Sequence, residues 1–309
     1  MRIFIGIASY MRPAGLSQAL EGVGLLQKPA DAIIQVIVAD NDPEGSALTT
    51  CETIREGYPF PLHYLKVEER GVSFARNKLA DFAVNHHGDF LAFIDDDEFP
   101  DPNWLVELLA VQSTTEADLV GGPVCRIFPE GAPDWTRNIC FFEMRKEKKG
   151  LTSRNLDSGN LLISTRVFSH HNLVFDNSFA RTGGEDAMFS AQARAVGLTL
   201  AWSDKAMVYE SVPADRLSIG WLAARSFRVG TVTIMLDKNH FGTLLAFFCS
   251  LGKALVYLSA GLVSGVASFG ISPYQGRRCL IFMSRAAGLI CGLFGARAKM
   301  SPSPGPLQS

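Results

Sequence analysis

Acidic residues almost vanish from the last third of this 309-residue chain. From Arg216 onward there are ten Lys/Arg and one acid, Asp237, a net of +9. The first 215 residues carry 19 Lys/Arg against 30 Asp/Glu, a net of −11. That asymmetry points to an acidic catalytic part followed by a basic part that faces a membrane or a partner. Cysteine is also sparse. The six present (Cys51, Cys125, Cys140, Cys249, Cys279 and Cys291) contain no Cys-x-x-Cys spacing. They read as reduced core or membrane residues, which fits the cytoplasm. The start, Met1 to Ile7, has neither the long apolar core nor the small-residue cleavage site of a signal peptide. No internal repeat is evident. Histidine is scarce, and the pairs His86-His87 and His170-His171 read as surface or helix-end residues rather than ligands.

What is present is a core. Hydrophobic residues make up 47% of the chain, slightly high for a soluble enzyme, and the length allows one large domain or two small ones. The patterning alternates strand and helix. Strands are expected at Ile3 to Ala8, Ala32 to Ala39, Leu62 to Val67 and Phe90 to Ile94. Helices are expected at Gly15 to Leu26, Ser46 to Glu56 and Gly71 to Asn85, with Asp101 as N-cap and Pro102 as first residue of the next. This rhythm argues for a parallel, doubly wound α/β sheet. It changes after Asp118-Leu-Val-Gly-Gly-Pro-Val124. Residues 126–157 look irregular, and their charged run Glu143 to Lys149 reads as a solvated face. Gly159 to Ser164 restores a strand, Gly183-Gly-Glu-Asp186 precedes a helix, and short strands are expected at Leu198 to Ala201 and Ala206 to Tyr209.

The most informative stretch is Asp89-Phe-Leu-Ala-Phe-Ile-Asp-Asp-Asp-Glu-Phe-Pro-Asp101. A short apolar run ends in three carboxylates, Asp95, Asp96 and Asp97, with Glu98 behind them. In open α/β sheets ligands collect at the carboxyl ends of strands. If the chain stays extended, Asp95 and Asp97 point to one side and Asp96 to the other. Crowded carboxylates with no nearby His or Cys suit Mg²⁺ or Mn²⁺ bound to a phosphate. A solvated acidic turn is the alternative.

Five features in order resemble the inverting, nucleotide-sugar-dependent glycosyltransferases of family 2, which have the GT-A fold. They are Ile5-Gly-Ile-Ala-Ser-Tyr-Met-Arg12-Pro, the strand ending in Asp40, Arg70-Gly-Val-Ser-Phe-Ala-Arg76-Asn77, Asp95-Asp-Asp97, and Gly184-Glu-Asp186. Within that family the chain looks closest to bacterial exopolysaccharide glucosyltransferases of the rhizobial succinoglycan type. The resemblance implies Asp97 as direct metal ligand, with Asp95 touching the ribose or orienting the metal, and Asp96 beside them in the nucleotide-sugar site. It places Asp40 on the uracil ring and Ala8 and Ser9 beside the base. Arg70, Arg76 and Asn77 are candidate nucleotide contacts. Asp186 matches the catalytic base, and its neighbour Glu185 would position acceptor or metal. Each has a plain alternative: Asp40 as a turn carboxylate before Pro43, Arg70 or Arg76 as an ion-pair partner, Asn77 as a helix-surface residue, Asp186 as a helix cap. Glu210 stands where many relatives have a His. The position of Trp in the processive synthases' Gln-x-x-Arg-Trp is not filled by Trp after Arg194, which favours single-sugar transfer.

The implied partners are a UDP-sugar donor, a lipid-linked oligosaccharide acceptor, a membrane and other polysaccharide-assembly proteins, with no nucleic acid. Sugar nucleotidyltransferases share a related sheet but carry a Gly-rich phosphate loop after the first strand, where this chain has Ala8-Ser-Tyr-Met-Arg12. A non-catalytic membrane scaffold on the same fold is the remaining alternative. The expected division is a catalytic domain over 1–215, a basic, hydrophobic helical membrane-associating region over 216–300, and a disordered tail over 301–309. In the second part Leu217 to Leu236 reads as a helix, with Arg225 and Arg228 on one face. Ala254 to Ile271 is long enough to span a bilayer, and Cys279 to Ala296 is a second apolar run. A spanning hairpin would put Arg277-Arg278 outside, against the positive-inside tendency. Helices lying in the cytoplasmic leaflet avoid this, and a buried helical subdomain is the non-membrane alternative. The expected location is the cytoplasmic face of the bacterial inner membrane.

Overall fold

A computed structural model describes residues 1–139, 141–268 and 273–299. Cys140 and the expected disordered tail lie outside these residues, as does the end of the Ala254 to Ile271 run. The chain opens with β1 (Arg2–Ser9), α1 (Pro13–Gly24), β2 (Ile33–Asp40), α2 (Leu48–Arg55), β3 (Leu62–Lys66), α3 (Val72–Asn85) and β4 (Phe90–Asp95). The short β5 (Glu98–Pro100), α4 (Trp104–Thr115), β6 (Leu119–Gly121), β7 (Val124–Ile127) and β8 (Gly150–Leu151) follow. Then come β9 (Asn160–Ser164), α5 (Arg166–Ser169), α6 (Glu185–Ala195), β10 (Leu200–Trp202) and β11 (Val208–Ser211). Two long helices end the chain, α7 (Ile219–Ser268) and α8 (Pro273–Leu293).

The main sheet has the order β3-β2-β1-β4-β9-β6-β10-β8. The first four strands are parallel, and β9 runs antiparallel between β4 and β6. Alternation along β1 sends Ile3, Ile5 and Ile7 to a core shared with Leu16 and Leu20 of α1 and Leu105 and Leu108 of α4. Phe4 points the other way, to Leu79 and Ala83 of α3 and Phe189 of α6. Both faces are therefore covered, as a parallel sheet requires. Register places Ser9 opposite Asp40 and Ala8 opposite Asp95, so three strand ends meet at one edge. A second sheet, β5-β11-β7, sits where β4 ends.

Some elements differ from expectation. The helix after Asp101 begins at Trp104, and Asp101 instead closes a turn ahead of it, accepting from the Asn103 N–H at 2.9 Å. The irregular stretch contains β7, a 3-10 turn at Asp134–Asn138 and β8. Its charged run is partly anchored: the Arg145 guanidinium lies 4.2 Å from the Trp202 ring centre and its Nε donates to Glu147 at 3.0 Å.

In the C-terminal part α7 continues far beyond Leu236 and breaks at Gly242, where φ is +75°. The break turns the chain so that Lys253 meets Asp237, with Nζ 2.7 Å from both carboxylate oxygens. The one acid of the basic third is thus neutralised by its own helix. Among the described residues α7 is the one helix long and apolar enough to cross a membrane, and 17% of its most apolar window is buried. Leu244, Phe248, Leu255, Val256, Val263 and Val266 are exposed along the segment after the break.

The two long helices approach closely where glycines face one another. A Cβ on Gly288 would lie 2.0 Å from the Phe227 carbonyl oxygen, and one on Gly230 2.5 Å from that of Arg285. Gly288→Val should therefore lower stability by at least the ~1–3 kcal/mol of an overpacked core. Thermal unfolding of detergent-purified protein, with proteolysis of α8 as second readout, checks this. An unchanged melting temperature would mean the helices do not pack at this contact.

Candidate active site

The site is assembled at the ends of β1 and β4 and at the start of α6. β4 ends at Asp95, and Asp96 and Asp97 form a turn, so the alternation expected of an extended chain does not apply to the three acids. They have different environments. The Asp95 side chain is 38% exposed, that of Asp97 22% and that of Asp96 7%. Asp96 turns inward, accepting from the Ser9 hydroxyl and the Tyr10 N–H, each at 3.1 Å, and from Arg12 at 3.0 Å. Burial, with Asp97 beside it, pushes its pKa up to about 7 against the pull of Arg12. Asp96 thus ties β1 to β4 rather than facing the cleft. Asp97 lies 2.7 Å from Arg12 and 3.3 Å from Arg216. Glu98 is buried behind them, and burial followed by Asp95 raises its pKa well above the carboxylate range.

Arg76, buried on α3, connects this tip to α6. Its Nη2 donates to Asp95 at 2.9 Å and its Nη1 to the buried Glu185. Burial works against the cation; Asp95, Glu185 and Asp186 outweigh it and its pKa is raised. Glu185 Oε2 is buried without a partner. The next residue, Asp186, is half-buried and accepts from the Ala187 N–H at 2.7 Å. Gly184, not Asp186, occupies the N-cap position of α6. Gly184 has φ +94°, and a Cβ there would lie 2.4 Å from Val232 of α7, so the loop needs glycine on both counts. A helix start would lower the Asp186 pKa. Instead burial, then Glu185 and Asp157, push it up to about 7, with Arg76 opposing.

Over residues 4–171 the sequence matches glycosyl transferase family 2. The chain is a family 2 glycosyltransferase. It is 35% identical over 305 residues to the succinoglycan biosynthesis protein ExoM of Rhizobium meliloti (strain 1021), spanning 96% of this chain and 94% of that protein. It is 28% identical over 208 residues to Glycosyltransferase AglE of Haloferax volcanii, 66% of this chain and 65% of that one. Among solved structures it is similar to S. aureus TarS residues 1–349 in complex with UDP, with a TM-score of 0.53 at 15% identity over 99% of this chain and 95% of that one. The complex of TarS with UDP-GlcNAc gives 0.54 at 14% identity over 93% and 90%. At those identities the likeness establishes the fold, which is of the GT-A type.

The other expected positions of this glycosyltransferase divide. Ala8, next to last in β1, pairs with Asp95, and Ser9 is held by Asp96. Arg70 is exposed, stacks over Tyr10 at 5.0 Å and lines, with Ser178, Arg181 and Thr182, a hollow of about 550 Å³ that the tip acids and Asp186 do not line. Asp40 takes the turn role: it is fully buried and accepts from the N–H groups of Asp42 (3.0 Å) and Ala47 (2.9 Å) and from the Tyr64 hydroxyl (3.1 Å). Asn77 clamps the backbone of Phe175, donating at 2.9 Å and accepting at 2.8 Å, rather than facing the cleft. The structure adds Arg12, Arg126 and Arg216. Arg126 and Arg216 grip Glu210 at 3.2 and 2.9 Å, which explains an acid at that position. Their signal in sequence was weak, because lone arginines far apart carry no spacing.

The donor set at the tip is all oxygen, and Asp95 and Asp97 are the accessible members. Mg²⁺ is typically held by one or two carboxylates plus substrate phosphates, so these residues fit such an ion. Among the described residues no group of three or more His, Cys, Asp or Glu is gathered to hold an ion by itself.

Removing Arg76 leaves Glu185 buried and unpaired. Arg76→Met should cost about 3–5 kcal/mol, read by denaturant unfolding. The double variant with Glu185→Gln should recover part of that loss. A single-variant loss below about 1 kcal/mol, the range of an exposed pair, would mean the bridge is not buried.

Proposed function

We propose that this glycosyltransferase moves a hexose, glucose foremost, from a UDP-sugar to a lipid-linked oligosaccharide, inverting the anomeric carbon, during assembly of an exopolysaccharide or other cell-surface polysaccharide. The relationship to ExoM, whose name places it in succinoglycan biosynthesis, supports the pathway class. The UDP and UDP-GlcNAc complexes of TarS support the donor class. The observation that carries the reading is the Arg76 bridge, which sets the Asp95 tip and the Glu185–Asp186 loop on two sides of one site.

In this reading Asp186 takes the proton of an acceptor hydroxyl as that oxygen bonds to C1. The bond from C1 to the β-phosphate oxygen breaks, and UDP leaves with the electron pair. Asp97, with Asp95, would hold Mg²⁺ or Mn²⁺, which supplies Lewis-acid stabilisation of the leaving diphosphate. Glu185 fixes the entry to α6 through Arg76. Ala8 and Ser9 border the base, Arg70 reaches the nucleotide from over Tyr10, and Asp40 shapes the loop beside it. Residues after Gly242 hold the enzyme on the cytoplasmic face of the inner membrane through their exposed apolar side chains, beside the lipid-linked acceptor.

Asp186 must be ionised to accept a proton, and its pKa is raised. kcat/KM should therefore climb with pH up to about 7 and level above it. Asp186→Asn should lower kcat by about 10²–10⁴-fold. A flat profile from pH 5 to 8 would contradict the base assignment. Full-length protein should sediment with membranes and require detergent for release. Recovery in the soluble fraction without detergent would defeat the membrane reading.

A further inference from the structure

Guanidinium groups crowd at one place on α7. The Arg225 guanidinium lies 5.1 Å from the Trp221 ring centre and 5.4 Å from that of Phe141. Trp221 also carries Arg216 at 5.9 Å. Arg228, one turn further along the same face, donates to the Thr182 carbonyl at 3.0 Å. Arg126 and Arg216 pair with Glu210, and Arg216 reaches on to Asp97. Arg225 Nε is buried with no hydrogen-bond partner. Burial, and then the charge of Arg228, bring the Arg225 pKa down to about 10; Arg126 and Arg216 act in the same direction and Glu210 opposes them. Burial likewise lowers Arg228. A buried donor without an acceptor costs its full desolvation, and like charges this close repel. An anion with several acceptor oxygens relieves both.

We propose that Arg225 and Arg228, backed by Arg126 and Arg216, form a diphosphate-binding site between the Asp95–Asp97 tip and the Glu185–Asp186 loop. Both borders are in contact with the cluster. Arg216 touches Asp97, and Arg228 holds Thr182, which leads into Gly183-Gly184. Planar guanidinium forks suit phosphate oxygens. In the reaction proposed above the nucleotide donor carries a diphosphate, and so would a lipid-linked acceptor whose sugar and lipid are joined through one. Arg225 stands sixteen residues before Phe241, where the exposed apolar segment starts. That is roughly 24 Å along a helix rising 1.5 Å per residue, which favours the donor. The identity of the diphosphate rests on the proposed transferase reading; the site itself does not.

The test uses full-length protein in detergent with a chelator present, and inorganic pyrophosphate as probe. Pyrophosphate should raise the melting temperature of the native enzyme. Arg225→Met keeps an apolar stem against Trp221 and Phe141. It should melt no lower than the native enzyme without the probe, because it relieves crowding, and should bind pyrophosphate at least tenfold more weakly. Arg228→Gln, which leaves the ring contacts of Arg225 in place, should also weaken pyrophosphate binding. In steady-state transfer with Arg225→Met, a tenfold rise in the donor KM alone identifies the donor diphosphate, and a rise in the acceptor KM alone identifies the lipid diphosphate. Undiminished pyrophosphate binding by both variants would overturn the site, as would a lowered melting temperature of Arg225→Met with binding intact. If the native enzyme bound pyrophosphate through these arginines yet neither bound UDP nor transferred sugar, the site would stand and the transferase reading would fall.

Discussion

The buried guanidinium of Arg76 joins two parts of the chain that the sheet would otherwise leave independent. One is the end of β4, fixed by parallel pairing with β1; the other is the start of α6, which follows a long excursion through the irregular segment. Its two forks reach Asp95 and Glu185, so the carboxylate tip and the Asp186 loop hold a set spacing. Two acids share one buried cation, and removing that cation would leave Glu185 buried without a partner for its charge. The same arrangement allows Asp186, which Arg76 does not bond, to be raised toward neutrality while its neighbour stays paired.

Helix α7 and the turn before it pack directly on this cluster. Val232 of α7 fills the space that the missing Cβ of Gly184 leaves, Arg228 holds Thr182, and Arg216 closes on Asp97. A movement of α7 would therefore be felt at the tip and at the Glu185–Asp186 loop together. The same helix, beyond the break at Gly242, carries the exposed apolar surface. One element thus connects the exposed apolar segment to the carboxylate tip and the Glu185–Asp186 loop.

Much of this was legible in the sequence, for identifiable reasons. The strands β1 to β4 follow from apolar runs of sheet length, and the acids sit at a strand end because the run stops there. Asp186 was singled out by motif order. The inward turn of Asp96 was not legible, since its partners Ser9 and Arg12 lie more than eighty residues away and only the β1–β4 pairing brings them close. The family resemblance put Asp40 and Asn77 at the nucleotide; Asp40 accepts from the turn that follows β2 and Asn77 clamps the Phe175 backbone, contacts that no local pattern in the sequence announces. The helix boundary at Gly242 was hidden because a glycine inside an apolar run carries no sign of its φ.

In the proposed reaction one carboxylate, Asp186, is the base of a single displacement, and that has a stereochemical consequence. The anomeric configuration of the sugar newly attached from an α-linked UDP-hexose, read by proton NMR of the released oligosaccharide, tests it most directly. A single displacement gives a β-linkage, with the large coupling between H1 and H2 that a β-glucoside shows. An α-linked product would contradict inversion and, with it, the role assigned to Asp186.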